Sequence, residues 1–238
     1  MASKVRLYVD HPLGEGQTVP LDRDQAHYLF NVMRLSVGAA LTLFNGRDGE
    51  WDAQVTETGK RGGTLACRHQ TAPLSMPPDL WLLVAPIRKT RMDFVVEKAV
   101  ELGVRRILPV RTEHTNERMR ADKLQAHAIE AAEQCGATYA PQVAELAPLP
   151  QVLADWSADR ALAFCDEGLR GARAAMSEAL TPPAAILIGP EGGFSPAERE
   201  TLRALPFAHP VSLGPRILRA DTAAVAALTL WQAALGDW

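Results

Sequence analysis

Two glycine-rich segments each follow a short apolar run that has the length of a β-strand. Residues 186–195 read ILIGPEGGFS, and residues 211–222 read VSLGPRILRADT. Glycine adopts positive φ readily and lets a backbone approach a ligand closely. In open α/β sheets, ligands bind beyond the carboxyl ends of the strands. Tight turns would account for a single Gly-Pro pair, but three glycines around one glutamate favour a ligand site built from both segments.

The chemistry of the first segment argues against a nucleotide phosphate as the ligand. Neither the P-loop pattern nor the dinucleotide-binding glycine pattern occurs. The segment contains Glu191 and no lysine or arginine. Two like charges about 4 Å apart repel by roughly 1–4 kcal/mol in a partly exposed site. The segment therefore favours a ligand with a cationic reactive centre, such as the sulfonium of S-adenosylmethionine. An enzyme that uses residues 189–193 as an anion cradle for a phosphorylated small molecule remains an alternative.

The secondary structure predicted around the two glycine segments differs between the first and the later part of the chain. Residues 71–79 (TAPLSMPPD) contain three prolines and predict a linker. Short β-type runs separated by glycine turns precede it, which predicts a small β-barrel over 1–72, with the linker at 73–79. Apolar strand-length runs alternate with helical patterns over 80–238, which predicts an α/β domain with a largely parallel sheet.

Capping patterns predict where several helices begin and end. One helix is expected near Asp22–Arg34. Thr90 is expected to cap a helix that stops at Gly103. Ser195 followed by Pro196 and Glu198 is a strong helix start. Asp221 is expected to cap a final helix that reaches about Leu235.

Charge and composition narrow the class of protein further. The 238 residues carry a net charge of −3, but residues 88–123 carry 10 basic and 6 acidic residues. This basic stretch indicates either a solvated helix face or a phosphate-contact patch. No apolar run approaches the ~20 residues that span a bilayer. The three cysteines form no C-x-x-C pair, so we expect a reduced, cytoplasmic protein without a metal site.

The two glycine segments resemble those of the SPOUT-class methyltransferases. More narrowly, the chain resembles the family that methylates N3 of a uridine in 16S ribosomal RNA. Four further motifs fit that family in order: RLYV at 6–9, HYL at 27–29 with Arg34, KAVELGV at 98–104 and EQCG at 133–136. The resemblance covers nearly the whole chain. Two positions depart from the family pattern: Ala137 replaces an arginine, and Ala220-Asp221-Thr222 replaces Thr-Glu-Thr.

The resemblance implies a fold, a cofactor and partners. The fold would be an α/β domain with a SPOUT-type trefoil-knotted parallel sheet, preceded by a PUA-like β-barrel. The protein would be a homodimer that binds S-adenosylmethionine in the knot and 16S ribosomal RNA, free or in the assembled small subunit, with no membrane or metal partner. Cofactor-binding residues would come from both glycine segments: Leu187, Ile188, Gly189, Pro190, Glu191, Gly192, Gly193, Leu213, Gly214, Ile217, Leu218 and Thr222.

The reaction suggests catalytic residues beside the second segment. Methylation of uracil N3 requires removal of a proton and stabilisation of negative charge on the carbonyl oxygens. Arg219, with Arg216 as a second candidate, is expected to stabilise that charge. Glu191 or Asp221 is expected to accept the proton.

RNA contacts are expected from basic residues of both domains, mainly to phosphates. The candidates are Arg6, His27, Arg34, Arg88, Lys89 and Arg91. Two other functions stay open: a non-catalytic RNA-binding dimer, and a methyltransferase that acts on a different RNA.

Overall fold

The computed structural model describes residues 5–59, 61–169 and 180–238. The chain divides into two compact units. The first comprises Met1–Met76 together with Ala132–Ala140. The second comprises Pro77–Ala131 together with Pro141–Trp238. The first unit thus includes a short stretch from the second half of the chain.

The first unit is built on a five-stranded mixed sheet. Its strands are β1 (Arg6–Tyr8), β2 (Thr18–Leu21), β3 (Ala40–Phe44), β4 (Glu50–Thr58) and β5 (Gly63–Ala72). They are ordered β1-β3-β4-β5-β2, with β1 parallel to β3 and the other pairs antiparallel. Strand β2, which contains Pro20, was not predicted from the sequence. Because β2 is an edge strand, it tolerates a residue that cannot donate a ladder hydrogen bond.

The helix expected near Asp22–Arg34 forms but changes type midway. Helix α1 (Arg23–Ala26) starts at Asp22, which makes a reciprocal capping box with Gln25. A π-helical turn continues it over His27–Val32. Arg34 then adopts φ of 56°, a left-handed conformation that a helix cannot continue through.

The second unit contains a seven-stranded parallel sheet, so the expected α/β class is confirmed. Its strands are β6 (Leu80–Val84), β7 (Arg106–Arg111), β8 (Gln142–Val143), β9 (Ala147–Pro148), β10 (Ala161–Cys165), β11 (Ala184–Ile188) and β12 (Ala208–Val211). They are ordered β12-β10-β11-β6-β7-β8, and β9 pairs with β7. Every pairing is parallel. All five residues of β11 are buried, as expected for a strand covered on both faces.

Helices accompany these strands, and their starting residues test the predicted caps. The helices are α2 (Lys89–Glu101), α3 (Ala121–Cys135), α4 (Leu149–Ala154), α5 (Pro196–Ala204) and α6 (Ala220–Leu235). The cap at Ser195 is confirmed. Its side chain accepts a hydrogen bond from the backbone N–H of Glu198, and the Glu198 carboxylate accepts one from the backbone N–H of Ser195. Gly103 ends α2 with φ of 72°.

Two predicted caps are wrong. Helix α2 begins at Lys89 with Arg88 at its N-cap, so Thr90 lies within the first turn. Helix α6 has Arg219 at its N-cap, so Asp221 also lies within the first turn. The Asp221 carboxylate accepts hydrogen bonds from Thr222 and Arg91. It is therefore engaged in contacts other than the expected cap.

The strand order brings the two glycine segments to one edge of the sheet. Strand β10 lies between β11 and β12. Because all three strands are parallel, their carboxyl ends open at the same edge. The strand expected over Pro210–Leu213 lies two residues earlier, as β12 ends at Val211. Ser212 and Leu213 are therefore part of the loop.

Two negative findings concern the described residues alone. No helix among them is long and apolar enough to cross a membrane. No group of three or more His, Cys, Asp or Glu side chains in the same parts of the chain is placed to hold a metal ion.

Candidate active site

A cavity of about 370 Å³ opens at the carboxyl ends of β10, β11 and β12. We call it the first cavity. Its volume lies within the range of about 300–1,000 Å³ that is typical of small-molecule sites. It is lined by Cys165 and Asp166, by residues 188–193, by residues 211–214, by residues 216–220 and by Ala223. Both glycine segments therefore contribute to one cavity.

Ten of the twelve residues expected to bind a cofactor line this cavity. The two that do not are Leu187 and Thr222. Leu187 is fully buried within β11. Thr222 is exposed in the first turn of α6, where its N–H donates to the Asp221 carboxylate at 2.8 Å.

Tight backbone geometry explains the glycines at two positions in these loops. Gly193 has φ of 65°, and its N–H donates to the Pro190 carbonyl at 2.9 Å. Gly214 has φ of 107°. Both conformations are unfavourable for residues with a Cβ. The loops can therefore turn sharply beside the cavity without blocking it.

Cys165, the last residue of β10, and Asp166, which follows it, line the cavity and were not predicted from the sequence. Asp166 is buried, accepts from the Gly168 N–H at 2.9 Å and forms an ion pair with Arg203. Burial raises the pKa of the Cys165 thiol to about 12. It therefore remains protonated at neutral pH. Only the position of β10 between β11 and β12 reveals that these residues belong to the site.

Charge in the first cavity is mixed. Glu191 is exposed and lines the wall, as do Arg216 and Arg219 from the second glycine segment. Glu191, whose charge disfavours a phosphate at the first glycine segment, is thus accompanied by two guanidinium groups from the second glycine segment. A zwitterionic ligand matches this arrangement better than a purely anionic one.

A second cavity, of about 790 Å³, adjoins the first. It is lined by Arg88, Arg91, His114, Asn116, Glu117, Glu191, Gly192 and Arg219. The last three residues also line the first cavity. The catalytic candidates Arg219 and Glu191 therefore lie on a wall that both cavities share.

The basic residues at the start of α2 have different environments. Arg91 donates to the Asp221 carboxylate at 2.9 Å. Lys89 pairs with Asp93 at 2.7 Å. Arg88 is exposed and lines the second cavity.

The candidates for RNA contact in the first unit also differ in their exposure and their partners. His27 and Arg34 are exposed. The Arg6 side chain is only 14% exposed and is paired with Glu50 at 2.8 Å. It also donates to the backbone carbonyls of Ala132, Glu133 and Ala137. These bonds indicate that Arg6 has a structural role within the first unit.

Comparisons with known proteins agree with this architecture. Residues 75–232 match the family model for an RNA methyltransferase domain. Residues 21–65 match the model for an RNA methyltransferase PUA domain. The chain is 31% identical to a ribosomal RNA small subunit methyltransferase E from Rickettsia conorii, over 94% of this chain and 93% of the relative.

Two solved structures are similar over nearly the whole chain. One is a ribosomal RNA small subunit methyltransferase E from Neisseria gonorrhoeae bound to S-adenosylmethionine, with a TM-score of 0.89, 28% identity, and coverage of 98% of this chain and 99% of that one. The other is a protein from Legionella pneumophila in complex with the same cofactor, with a TM-score of 0.89, 30% identity and full coverage of both chains. This chain therefore belongs to the RNA methyltransferase family that includes ribosomal RNA small subunit methyltransferase E.

Proposed function

We propose that this protein transfers a methyl group from S-adenosylmethionine to N3 of a uridine in the 16S ribosomal RNA of the small subunit. The observation that carries the proposal is the shared wall of the two cavities. One cavity has the size of a cofactor site and is formed by the glycine loops. The other contains three arginines. A donor in the first and a nucleotide in the second would meet at Glu191, Gly192 and Arg219.

The residues of the first cavity fit S-adenosylmethionine. Apolar side chains and exposed loop backbone suit the adenosine part, for which we name Ile188, Leu213 and Leu218. Glu191 suits the cationic sulfur and the amino group, and Arg216 suits the carboxylate. When bound, this cofactor supplies a methyl group on a positively charged sulfur atom.

Arg219 is the residue we assign to the developing negative charge. Uracil N3 carries a hydrogen and lies between two carbonyl groups, so loss of that hydrogen places charge on both oxygens. A guanidinium stays cationic and presents several donors. Arg219 lines both cavities, which supports a role in stabilising that charge. The base must be unpaired or flipped out to reach this position.

The sequence left the proton acceptor open between Glu191 and Asp221. Both oxygens of Asp221 already accept hydrogen bonds, one from Arg91 and the other from Thr222. Glu191 is therefore the better candidate of the two carboxylates, in addition to its electrostatic role toward the cofactor.

Phosphate contacts account for the basic residues outside the shared wall. Arg88 and Arg91 of the second cavity, with the neighbouring Lys89, would contact the backbone around the target. His27 and Arg34 would contact it from the PUA-like unit. Such contacts fix position and give salt-dependent affinity without reading sequence.

The finer features of the family belong to the same proposal. The strand order β12-β10-β11-β6-β7 supports a SPOUT-type trefoil knot. Partly exposed Phe94 on α2 and Leu230 on α6 support a homodimer.

The domain bounds 1–72 and 80–238 define an RNA-holding part and a catalytic part. Since ribosomal RNA is the substrate, the protein would act in the cytoplasm.

Mass mapping of modified nucleosides tests the proposal. We expect 16S RNA from cells that lack this protein to lose one N3-methyluridine, and the purified protein with S-adenosylmethionine to restore it. A methylated base in another RNA would indicate a different substrate. Tight RNA binding without cofactor binding or methyl transfer would indicate the non-catalytic alternative.

A further inference from the structure

His114 lies in the loop after β7, where its ring lines the second cavity and packs against the shared wall. Its Nδ1 lies 3.1 Å from the Gly192 carbonyl oxygen and 3.1 Å from that of Gly193. A Cβ on Gly192 would lie 3.2 Å from the Cβ of His114. The glycine turn therefore accommodates the imidazole closely and holds it at a defined position.

These contacts fix which ring nitrogen carries the hydrogen. Both partners of Nδ1 are carbonyl oxygens, which only accept hydrogen bonds. Nδ1 must therefore be the donor, and in the neutral ring Nε2 carries the free electron pair. Within the described part of the chain, Nε2 of His114 makes no hydrogen bond. Nε2 is separated from Nδ1 by Cε1, and its electron pair points in a different direction from the Nδ1–H bond. It is therefore available to a ligand in the second cavity, which His114 lines.

We infer that His114 is the general base of this enzyme and that its Nε2 accepts the proton from N3 of the target uracil. The inference rests on the proposed function. The N3–H bond breaks and an Nε2–H bond forms. The electron pair stays on N3 and is delocalised over the two carbonyl oxygens, where Arg219 stabilises it and from where N3 can take up the methyl group. The imidazolium then releases its proton to water.

Imidazole is the side chain most often used to accept a proton near neutral pH. Glu191 keeps its electrostatic role toward the cationic cofactor in this scheme. The charged groups that line the second cavity with His114 come from α2, from its own loop and from the two glycine segments. They are Arg88, Arg91, Glu117, Glu191 and Arg219.

The substitution His114→Asn separates proton transfer from positioning. The asparagine amide nitrogen can take the place of Nδ1 and donate to the same two carbonyls, but no atom replaces Nε2. We expect the affinity for S-adenosylmethionine and the melting temperature to stay near wild type. The single-turnover rate of methyl transfer to small-subunit RNA should fall at least about 100-fold. The increase of that rate with pH on the acid side should disappear.

Two further variants control the experiment. His11→Asn changes a histidine whose Nδ1 also meets a backbone carbonyl, that of Pro12 at 3.1 Å, outside the proposed site. It should retain the wild-type rate and pH profile. Glu191→Gln should retain the acid-side dependence on pH, whatever its effect on cofactor affinity.

Three results would overturn the inference while leaving the proposed function standing. A rate within about threefold of wild type in His114→Asn would exclude proton transfer by His114. A loss of rate that is fully matched by a loss of cofactor affinity would reduce His114 to a positioning residue. An acid-side pH dependence that persists in His114→Asn but disappears in Glu191→Gln would assign the base to Glu191. If the wild-type protein binds cofactor but methylates no ribosomal RNA, the proposed function fails and the inference falls with it.

Discussion

Arg91 of α2 donates to Asp221 of α6 at 2.9 Å, and this ion pair joins the first turns of the two helices beside the second cavity. The side chains are 32% and 18% exposed, respectively. Asp221 also accepts from the Thr222 N–H at 2.8 Å. The carboxylate thus orients a guanidinium toward the cavity in which we place the target nucleotide.

The pair predicts a binding defect for Asp221→Asn. The variant keeps an acceptor for Thr222 but loses the charge that orients Arg91. We expect the KM for ribosomal RNA to increase several-fold, while the pH profile of single-turnover methylation keeps its acid-side limb. Steady-state kinetics and a pH series measure both quantities. Loss of the acid-side limb in this variant would return Asp221 to the role of proton acceptor.

Arg219→Ala should separate folding from chemistry. Arg219 is exposed, so its truncation removes little packing. We expect a near-normal melting temperature and a kcat lowered by about 10²–10³-fold, as for loss of one group that stabilises developing negative charge. Arg120→Ala, at an exposed arginine paired with Asp122, is a matched control. Normal turnover in Arg219→Ala would remove this residue from the mechanism.

Glu191→Lys tests the electrostatic argument for a cationic ligand. It places a positive charge where we expect the sulfonium, so cofactor binding should weaken beyond detection in a calorimetric titration. Glu191→Gln, which removes the charge at nearly constant volume, should give an intermediate affinity. An unchanged affinity in Glu191→Lys would refute the charge argument.

Salt dependence distinguishes phosphate contacts from structural arginines. Arg88 is exposed at the second cavity, so Arg88→Ala should reduce the slope of log Kd for RNA against log salt by about one unit. Arg6 is paired within the first unit. Arg6→Ala should therefore lower the melting temperature instead and leave the slope unchanged. The reverse pattern would restore Arg6 as an RNA contact.

The environment of Asp79 predicts how the stability of the protein depends on pH. Burial raises the pKa of this carboxyl, but the hydrogen bond and the charge of Arg160, together with the charge of Arg105 and a hydrogen bond from Trp81, outweigh burial and hold the pKa below its ordinary value of 3.8. A group with a lowered folded-state pKa stabilises the protein above its unfolded-state pKa, and this stabilisation is lost as the pH falls through the folded-state pKa.

We therefore expect Asp79→Asn to lower the free energy of unfolding by about 1–3 kcal/mol at neutral pH. The difference from wild type should shrink as the pH falls below about 4. Denaturant titrations at a series of pH values measure it. A difference that stays constant into the acid range would exclude ionisation of Asp79 as its cause.

Local patterns predicted the parts of the site that lie within one stretch of sequence. Residues 188–193 line the first cavity because a buried strand, a glycine turn and the Ser195 cap follow one another directly. The acid at Asp221 was misjudged as a cap because its partner, Arg91, is 130 residues away in sequence.

The missed residues depend on strand order, which no local pattern contains. Asp166 and Cys165 join the site because β10 lies between β11 and β12. His114 joins it because β7 ends at the same edge of the parallel sheet. In the sequence, His114 is one scattered histidine among six. A search for polar residues directly after each apolar strand would have identified Asp166 as a candidate. It would not have identified Cys165, which ends β10, or His114, which lies three residues beyond β7.

The bonds from Arg6 to residues 132–137 have a practical consequence for dissecting the protein. A polypeptide that stops at Met76 would lack the carbonyl oxygens of Ala132, Glu133 and Ala137 that the guanidinium binds. The amino-terminal part is thus completed by a segment that the ribosome synthesises some sixty residues later. A truncation at the proline-rich linker would therefore remove residues 132–140, which belong to the first unit.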